Sequence, residues 1–278
     1  MQTYFFVPAT KLHKIPSVLD LGVDKIIIDL EDAVSFSAGP EVLDSLLQKP
    51  YLKNHLIRVP VINVRTEKLD LTVIKKLISA GFTNFMLPKL QSLQQFKVLA
   101  KEVNFAKKSV ILLVENPRLL IEAPMILNEF PDLFHGICMG SHDYISETGG
   151  LHNLINLEYP RHLILNYARM VDILAIDIAS MELNDMASFE NEILDGFQKG
   201  YDAKLIIHPK QQQFINQIQF YSKEDLDWAN KVMIALSDAN GIDNFSPVVI
   251  DGTVVERPHL KRAEKIIEWY NKREIINN

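Results

Sequence analysis

Eight short apolar segments, separated by stretches with helical periodicity, constrain the fold of this chain more than any other feature. The segments are rich in Ile, Leu, Val and Phe and are apolar at successive positions rather than at alternate ones. Strands that are buried on both faces of a parallel sheet show this pattern. The sequence therefore predicts strands at 4–8, 25–30, 56–61, 84–88, 110–115, 134–140, 173–178 and 204–208.

Amphipathic segments between these strands indicate helices. In 71–81 and 93–103 apolar residues recur at intervals of three and four, and Gly81 follows the first segment as a helix C-terminal glycine would. Eight strands, each followed by a helix, predict an α/β protein of the (β/α)8 TIM-barrel class. An open doubly wound sheet is the alternative. It normally carries a glycine-rich phosphate-binding turn, and this chain has 11 glycines without a GxGxxG or Walker motif.

The domain organisation follows from the length of the barrel. Residues 1–240 are predicted to form the (β/α)8 catalytic barrel, and 241–278 a hairpin that turns at Asp251-Gly252 and a helix over 258–273. This extension is either a cap or a subunit-docking arm of the same domain. Its helix carries an apolar stripe that needs a partner surface: Leu260, Ala263, Ile266, Ile267 and Tyr270.

Charge and apolar content exclude several classes of protein. The net charge of −6, without a basic block, argues against a nucleic-acid partner. Apolar stretches stay below the ~18–20 residues that cross a bilayer, which argues against a membrane partner. The single cysteine, Cys138, cannot form an intrachain disulfide and is predicted to be a small core residue. These features predict a cytoplasmic protein.

The barrel model predicts where functional side chains lie, because barrel active sites form at the C-terminal ends of the strands. Polar residues occur at these strand ends: Glu31, Asp32, Arg58, Lys89, Glu115, Asp143, Asp177 and His208.

Each candidate has a structural alternative. Glu115 and Asp143 are predicted to bind Mg²⁺, which takes one or two carboxylates, unless they only cap the helices that follow. Glu31 and Asp32 form a second acidic shell or an ordinary acidic helix start. Arg58, in an apolar strand, needs a carboxylate from the protein or the substrate. Lys89 anchors a substrate carboxylate, lies at the barrel rim, or, less favoured, forms a Schiff base.

An ordered set of short motifs in the sequence resembles a known family. The chain is similar over nearly its whole length to the citrate lyase β-subunit (CitE-like) family of the HpcH/HpaI aldolase group, in the phosphoenolpyruvate/pyruvate barrel superfamily. The motifs that carry the resemblance occur in the family's order: FFVPA (5–9), IIDLEDAV (27–34), IRV (57–59), FMLPKLQS (85–92), LLVENPR (112–118), MGSHDY (139–144), AIDI (175–178), YDAKLIIHPKQ (201–211) and DGTVVERPHLKRAEKII (251–267).

The resemblance implies a Mg²⁺-dependent carbon–carbon lyase that acts on a β-hydroxy acid or β-hydroxyacyl thioester of the citryl, malyl or citramalyl type. It implies Glu115 and Asp143 as metal ligands, Glu31 and Asp32 as acids that approach the metal through water, and Arg58 as the group that holds the keto-acid carboxylate or oxyanion. Backbone amides near Met139, Gly140 and Ser141 would surround a substrate carboxylate. Relatives are commonly homo-oligomers, trimers or larger.

Several positions depart from the family pattern. Gln2-Thr3 replaces an Arg-Ser pair, Pro8-Ala9-Thr10-Lys11 replaces a VPG turn followed by Arg, and Pro60, Gln91 and Asn116 replace an asparagine, a glutamate and a threonine. The changes affect the substrate surroundings, which favours a stand-alone lyase with an altered substrate or one without coenzyme A. Two alternatives remain: a Schiff-base keto-acid aldolase that uses Lys89, and a non-catalytic keto-acid-binding relative.

Overall fold

A closed barrel of parallel strands forms the centre of the protein. The computed structural model describes residues 1–32, 39–63, 65–239 and 241–277, with side chains as far as Asn271. The described barrel strands are β1 (Gln2–Pro8), β2 (Lys25–Asp29), β3 (Leu56–Arg58), β6 (Phe85–Leu87), β7 (Val110–Val114), β8 (Phe134–Met139), β9 (Leu174–Asp177) and β10 (Ala203–Ile206). Their order around the barrel is β1-β10-β9-β8-β7-β6-β3-β2, and β2 pairs with β1 to close it. The predicted (β/α)8 barrel is confirmed.

Helices follow the strands as the apolar periodicity predicts. The described helices are α1 (Ile15–Leu19), α2 (Gly39–Leu47), α3 (Thr72–Ser79), α4 (Leu93–Glu102), α5 (Pro117–Glu129), α6 (Ser141–Thr148), α7 (Leu154–Met170), α8 (Met186–Lys199), α9 (Pro209–Ile215), α10 (Lys223–Asp238) and α11 (Arg257–Asn277). Capping side chains and glycines define the ends of several helices. Asn116 caps α5 by accepting a hydrogen bond from the Leu119 N–H at 2.8 Å, and Gly81 follows α3 with φ of +89°.

Side-chain alternation decides which residues at the strand ends face the barrel interior. The interior is an apolar cluster to which all eight strands contribute: Tyr4, Ile27, Leu56, Met86, Ile111, Leu113, Cys138, Ile176, Ala203 and Leu205. Successive strand residues point to opposite faces, so a residue two positions after an interior residue also points inward. Asp29 follows Ile27, Arg58 follows Leu56 and Glu115 follows Leu113 in this way. The core therefore carries these three charged groups to one end of the barrel.

The structure differs from the sequence prediction at two smaller elements. A short hairpin, β4 (Ile62–Asn63) with β5 (Lys68–Leu69), was not predicted. The strand predicted at 56–61 ends at Arg58, shortly before Pro60, which has no N–H with which to continue the ladder.

The C-terminal part of the chain is a second compact unit, Ile218–Asn278, and the barrel belongs to the first, Met1–Gln217. The sequence placed the boundary at 240/241, whereas α10 packs on α11 and groups with the second unit. The stripe of Leu260, Ala263 and Ile266 is buried there in a cluster with Ala229 and Val232 of α10. The chain itself thus covers part of the stripe, and the oligomeric state remains a prediction.

The predicted hairpin is present within the second unit. β11 (Val248–Ile250) pairs antiparallel with β12 (Thr253–Val255). Asp251 and Gly252 have φ values of +50° and +79°, the sign that a tight two-residue turn of the Asp-Gly type requires at both positions. Among the described residues, no helix has the length and apolar content needed to cross a membrane.

Candidate active site

A cavity of about 300 Å³ opens at the C-terminal ends of the barrel strands. It is lined by residues from seven of the strand ends and βα connections, and the lining combines apolar and charged residues. The residues that line it are Phe6, Pro8, Asp29, Asp32, Arg58, Leu113, Glu115, Met139, Gly140, Ser141, His142, Asp143, Ala179, Met181, Leu205 and Ile207. The position is the one that the barrel architecture predicts for an active site.

Arg58 is held by three carboxylates of the chain. Its Nε and one terminal nitrogen donate to the two oxygens of Asp29, each at 2.7 Å. The other terminal nitrogen lies 3.0 Å from Asp32 Oδ2 and 3.3 Å from Glu31 Oε2. Burial lowers the pKa of Arg58, but the hydrogen bonds and charge of Asp29 raise it by more. The guanidinium therefore stays charged, and the bidentate pair with Asp29 fixes its plane.

Glu31 and Glu115 are buried carboxylates with incompletely satisfied oxygens. The side chains are 8% and 3% exposed. Within the described part of the chain, Glu31 Oε2 and Glu115 Oε1 accept no hydrogen bond. Burial raises the pKa of Glu31 to about 8, against the lowering effect of Arg58, and raises the pKa of Glu115 to about 7, against that of Lys89. Buried acids with open oxygens and raised pKa values in a cleft are typical of functional sites.

Lys89 connects the two predicted metal ligands. Its backbone N–H donates to Glu115 Oε2, and its Nζ lies 2.5 Å from Asp143 Oδ1. The same Nζ is 3.9 Å from Glu31 Oε1 and 3.9 Å from Glu115 Oε1. Burial lowers the pKa of Lys89, but Glu115 and Asp143 raise it by more. A raised pKa keeps the amine protonated, which disfavours the Schiff-base alternative.

The segment Met139–Ser141 forms one wall of the cavity, and Gly140 allows a close approach there. A Cβ built on Gly140 would lie 2.5 Å from Cγ of Glu115. Ser141 Oγ is 2.9 Å from Nε2 of His152, and the ring of His142 stacks on that of His152 at a centroid distance of 3.8 Å. Gly140 is therefore the residue that leaves room for the Glu115 carboxylate.

The structure brings together the six charged residues to which the sequence assigned metal-binding, catalytic or substrate-binding roles. Six side chains share one network of contacts: Glu31, Asp32, Arg58, Lys89, Glu115 and Asp143. Sequence reasoning missed Asp29, although its place two residues after Ile27 was a usable signal. It also missed His152, which lies in a loop between helices, where the strand-end rule gives no information.

Two other strand-end residues have structural roles instead. Asp177 does not line the cavity, because Ile176 takes the inward position and Asp177 points to the helices. Its two oxygens accept hydrogen bonds from Nε and NH2 of Arg161, both at 2.9 Å. Asp177, one of the polar strand-end residues of the sequence, thus forms a buried ion pair with Arg161 and lies outside the cavity lining. His208 caps α9, since its Nδ1 accepts a hydrogen bond from the Lys210 N–H at 3.2 Å.

The donor set of the cavity suits a hard cation. Five carboxylates, called here the acidic cluster, face two cations, Arg58 and Lys89, so the ionised site would carry three net negative charges; the members are Asp29, Glu31, Asp32, Glu115 and Asp143. Over the described residues no three His, Cys, Asp or Glu side chains converge into a complete ligand set. Mg²⁺ commonly takes only one or two carboxylates and keeps its waters, so the open oxygen of Glu115 beside Asp143 fits this ion.

The fold and the site together define a (β/α)8-barrel enzyme with an acidic cavity at the C-terminal ends of its strands. Residues 2–209 match the model of the HpcH/HpaI aldolase/citrate lyase family, and the chain belongs to that family. Membership makes it a carbon–carbon lyase by class. It is 26% identical over 292 residues to citrate lyase subunit beta of Leuconostoc mesenteroides subsp. cremoris, a match that covers 100% of this chain and 95% of the relative.

Two solved structures from Mycobacterium tuberculosis share the fold. CitE in complex with magnesium, acetoacetate and coenzyme A superposes with a TM-score of 0.78 at 24% identity, over 96% of this chain and 97% of that one. The citrate lyase beta subunit complexed with oxaloacetate and magnesium gives a TM-score of 0.65 at 25% identity, over 77% and 94% of the two chains.

Proposed function

We propose that the protein is a Mg²⁺-dependent carbon–carbon lyase that cleaves or forms a β-hydroxy acid or β-hydroxyacyl thioester of the citryl, malyl or citramalyl type. The products of cleavage are a keto acid and an acyl enolate that takes up a proton. The observation that carries the proposal is the open, buried oxygen of Glu115 next to Asp143 in the cavity that also contains Arg58. The family membership and the relative that holds magnesium and oxaloacetate support it.

The acidic cluster is proposed to bind Mg²⁺ in two ways, directly and through water molecules. Glu115 and Asp143 would hold Mg²⁺ directly, and Glu31 and Asp32 would bind its waters. A Mg²⁺ ion held there would supply Lewis-acid polarisation of the substrate's oxygens. The raised pKa values of Glu31 and Glu115 agree with a site built to have its negative charge neutralised by a further cation.

Arg58 is the group proposed to stabilise the negative charge that develops during cleavage. Asp29 holds two of its nitrogens, so the third faces Glu31 and Asp32 on the cavity side. A donor fixed before the reaction stabilises an oxyanion without paying for reorientation. The guanidinium lies 4.9 Å from the centre of the Phe6 ring, and this contact further restricts its movement.

The substrate's carboxylate is proposed to bind where α6 begins. Met139, Gly140 and Ser141 line the cavity at this point, and the first N–H groups of a helix have no partner within it. The ammonium of Lys89, which contacts Asp143 in the first turn of α6, would add a positive charge close to this position. A small keto or hydroxy acid fits a cavity of about 300 Å³.

The acyl carrier is proposed to differ from that of the resembled family. Pro8 lines the cavity and precedes Ala9–Lys14, where the family has a glycine turn and an arginine. Thr3, by contrast, is 2% exposed and donates to Asp24 at the opposite end of β1. The changed segment after Pro8 is therefore the one proposed to alter the binding of coenzyme A. A free hydroxy acid is proposed as a substrate alongside the thioester.

The test of the metal ligands is the shift in Tm on addition of Mg²⁺. We expect a higher Tm for the unchanged protein and no shift for Glu115→Ala or Asp143→Ala, since ligand binding stabilises only a folded site. Glu129→Ala removes an exposed carboxylate paired with Lys97 and is the matched control. A shift of equal size in all four proteins would reject the ligand assignment.

The test of the reaction is the release of keto acid. Citryl, malyl and citramalyl groups are offered as coenzyme A thioesters and as free acids with Mg²⁺, and the keto acid is measured with a coupled dehydrogenase. Turnover that Arg58→Gln abolishes is the expected result. A lack of turnover on all of these compounds would favour the non-catalytic relative, and a borohydride adduct of pyruvate on Lys89 would favour the Schiff-base aldolase.

A further inference from the structure

Lys89 occupies an unusual position in the acidic cluster. It contacts both proposed metal ligands, Glu115 through its backbone N–H and Asp143 through its ammonium group. Its ammonium is also within 4 Å of one oxygen each of Glu31 and Glu115. The positive charge of Lys89 thus lies among the oxygens of the two proposed metal ligands.

The backbone at Lys89 is consistent with a functional constraint. Its φ is +58°, a left-handed conformation that is costly for a residue with a side chain. The conformation directs the N–H to Glu115 while the side chain reaches Asp143. The side chain is 27% exposed, so the ammonium can leave Asp143 for water or for a bound anion.

Resting on the Mg²⁺ site proposed above, we infer that Lys89 is an internal cation that competes with Mg²⁺ for Asp143 and Glu115 and so sets the metal affinity of the site. The ammonium must give up Asp143 Oδ1 before that oxygen can bind a metal ion. Once released, it is a free positive charge at the edge of the cavity, beside the proposed substrate carboxylate. Lys89 thus links metal binding to the binding of an anionic substrate.

The charge balance of the cluster predicts whether removal of Lys89 raises or lowers the affinity for Mg²⁺. The ionised cluster carries five negative charges against two positive ones. Removal of the Lys89 charge makes the site more negative and leaves Asp143 without its partner. Both effects strengthen the attraction of a divalent cation. If Lys89 served only to position Asp143, its removal would instead weaken metal binding.

The experiment measures the Kd for Mg²⁺ by isothermal titration calorimetry at constant ionic strength, with the full chain. We expect Lys89→Gln to bind Mg²⁺ about fivefold more tightly than the unchanged protein, the scale of a partly exposed ion pair. Lys89→Arg retains the charge and should remain near the original Kd. Lys75→Gln removes an exposed lysine paired with Glu102 and is the matched control for loss of a positive charge.

A second measurement protects the test against a folding defect. Without Mg²⁺ the Tm of Lys89→Gln should fall, and Mg²⁺ should raise it by more than it raises the Tm of the unchanged protein. If Lys89→Gln does not fold, Lys89→Met keeps the unbranched side chain without its charge. An unchanged or weaker affinity for Mg²⁺ in the neutral variant overturns this inference but leaves the proposed function in place. A lack of binding in every protein rejects the Mg²⁺ site and the proposed function with it.

Discussion

Two clusters of charged side chains lie within Met1–Gln217, and they differ in how completely their charges are paired. The acidic cluster at the cavity has five carboxylates and two cations, and two of its buried oxygens accept no hydrogen bond among the described residues. The other, called here the helix-facing cluster, lies between β9, β10, α7 and α8 and has three cations and four carboxylates: Arg161, Lys199, Lys204, Glu158, Asp177, Glu192 and Asp195.

The helix-facing cluster is nearly balanced and tightly bonded. Asp177 binds Arg161 through two hydrogen bonds, and Arg161 reaches Asp195 at 2.6 Å. Lys204 is fully buried and lies 2.5 Å from Glu192. Buried charges are tolerated when their partners satisfy them. Both clusters bury charge, but the acidic cluster combines surplus negative charge with buried oxygens that accept no hydrogen bond among the described residues.

The largest expected effect comes from breaking the balanced cluster. Asp177→Ala should lower the free energy of unfolding by about 3 to 5 kcal/mol, because Arg161 and Lys204 would be left buried without their shared partner. Glu115→Ala, without Mg²⁺, should cost much less, because one of its oxygens has no hydrogen bond to lose. Urea unfolding measures both. Equal losses in the two variants would contradict the distinction between the clusters.

The pH dependence of stability should reflect the acidic cluster. The folded pKa values of Glu115 and Glu31, about 7 and 8, lie above those of the unfolded chain. At pH values between the unfolded-state and folded-state pKa values, the folded protein binds more protons than the unfolded chain. The contribution of these two groups to stability is therefore fully present below about pH 4 and is lost as the pH rises through 7 to 8. Without Mg²⁺ we expect the free energy of unfolding to fall progressively between pH 5 and 8.5.

Asp195 in the helix-facing cluster should behave in the opposite way. Burial raises its pKa, but hydrogen bonds from Lys199 and Arg161 lower it by more, so its contribution is present above pH 4 and is lost on further acidification. Urea unfolding over a pH series separates the two windows. Glu115→Gln should flatten the upper window only, and a slope that it leaves unchanged would contradict the assignment.

The smallest effects concern one glycine beside each cluster. A Cβ on Gly140 would meet Glu115 Cγ at 2.5 Å, and a Cβ on Gly196 would meet Asp177 Oδ2 at 2.3 Å. Each Gly→Ala change should cost about 2 kcal/mol through overpacking. At an open position in a helix, Gly196→Ala would instead stabilise by about 1 kcal/mol.

The two glycine variants should differ in their effect on metal binding. Gly140→Ala should weaken the binding of Mg²⁺, because it displaces Glu115, and Gly196→Ala should leave it unchanged. Calorimetric titration with MgCl₂ measures the difference. Loss of affinity in both variants would contradict the independence of the two clusters, and loss in neither would contradict the role of Gly140 in placing Glu115.

Much of the fold and most of the candidate site could be predicted from the sequence. The barrel followed from continuous apolar runs, because a strand covered on both faces must be apolar at every position. Glu31, Arg58, Lys89, Glu115 and Asp143 followed from the rule that places function after the strands. The rule gives positions along the chain but not partners, so it could not show that Lys89 contacts Asp143.

The sequence by itself determined the class of fold and the end of the barrel that carries chemistry, because both depend on local patterns of apolar and polar residues. Only the tertiary structure decided between Asp29 and Asp177, which end their strands after an isoleucine in the same way. Asp29 is two residues after the inward-facing Ile27, whereas Asp177 directly follows the inward-facing Ile176. One residue of register turns a strand-end carboxylate from the cavity to the helices, and that register is set by the closure of the whole barrel.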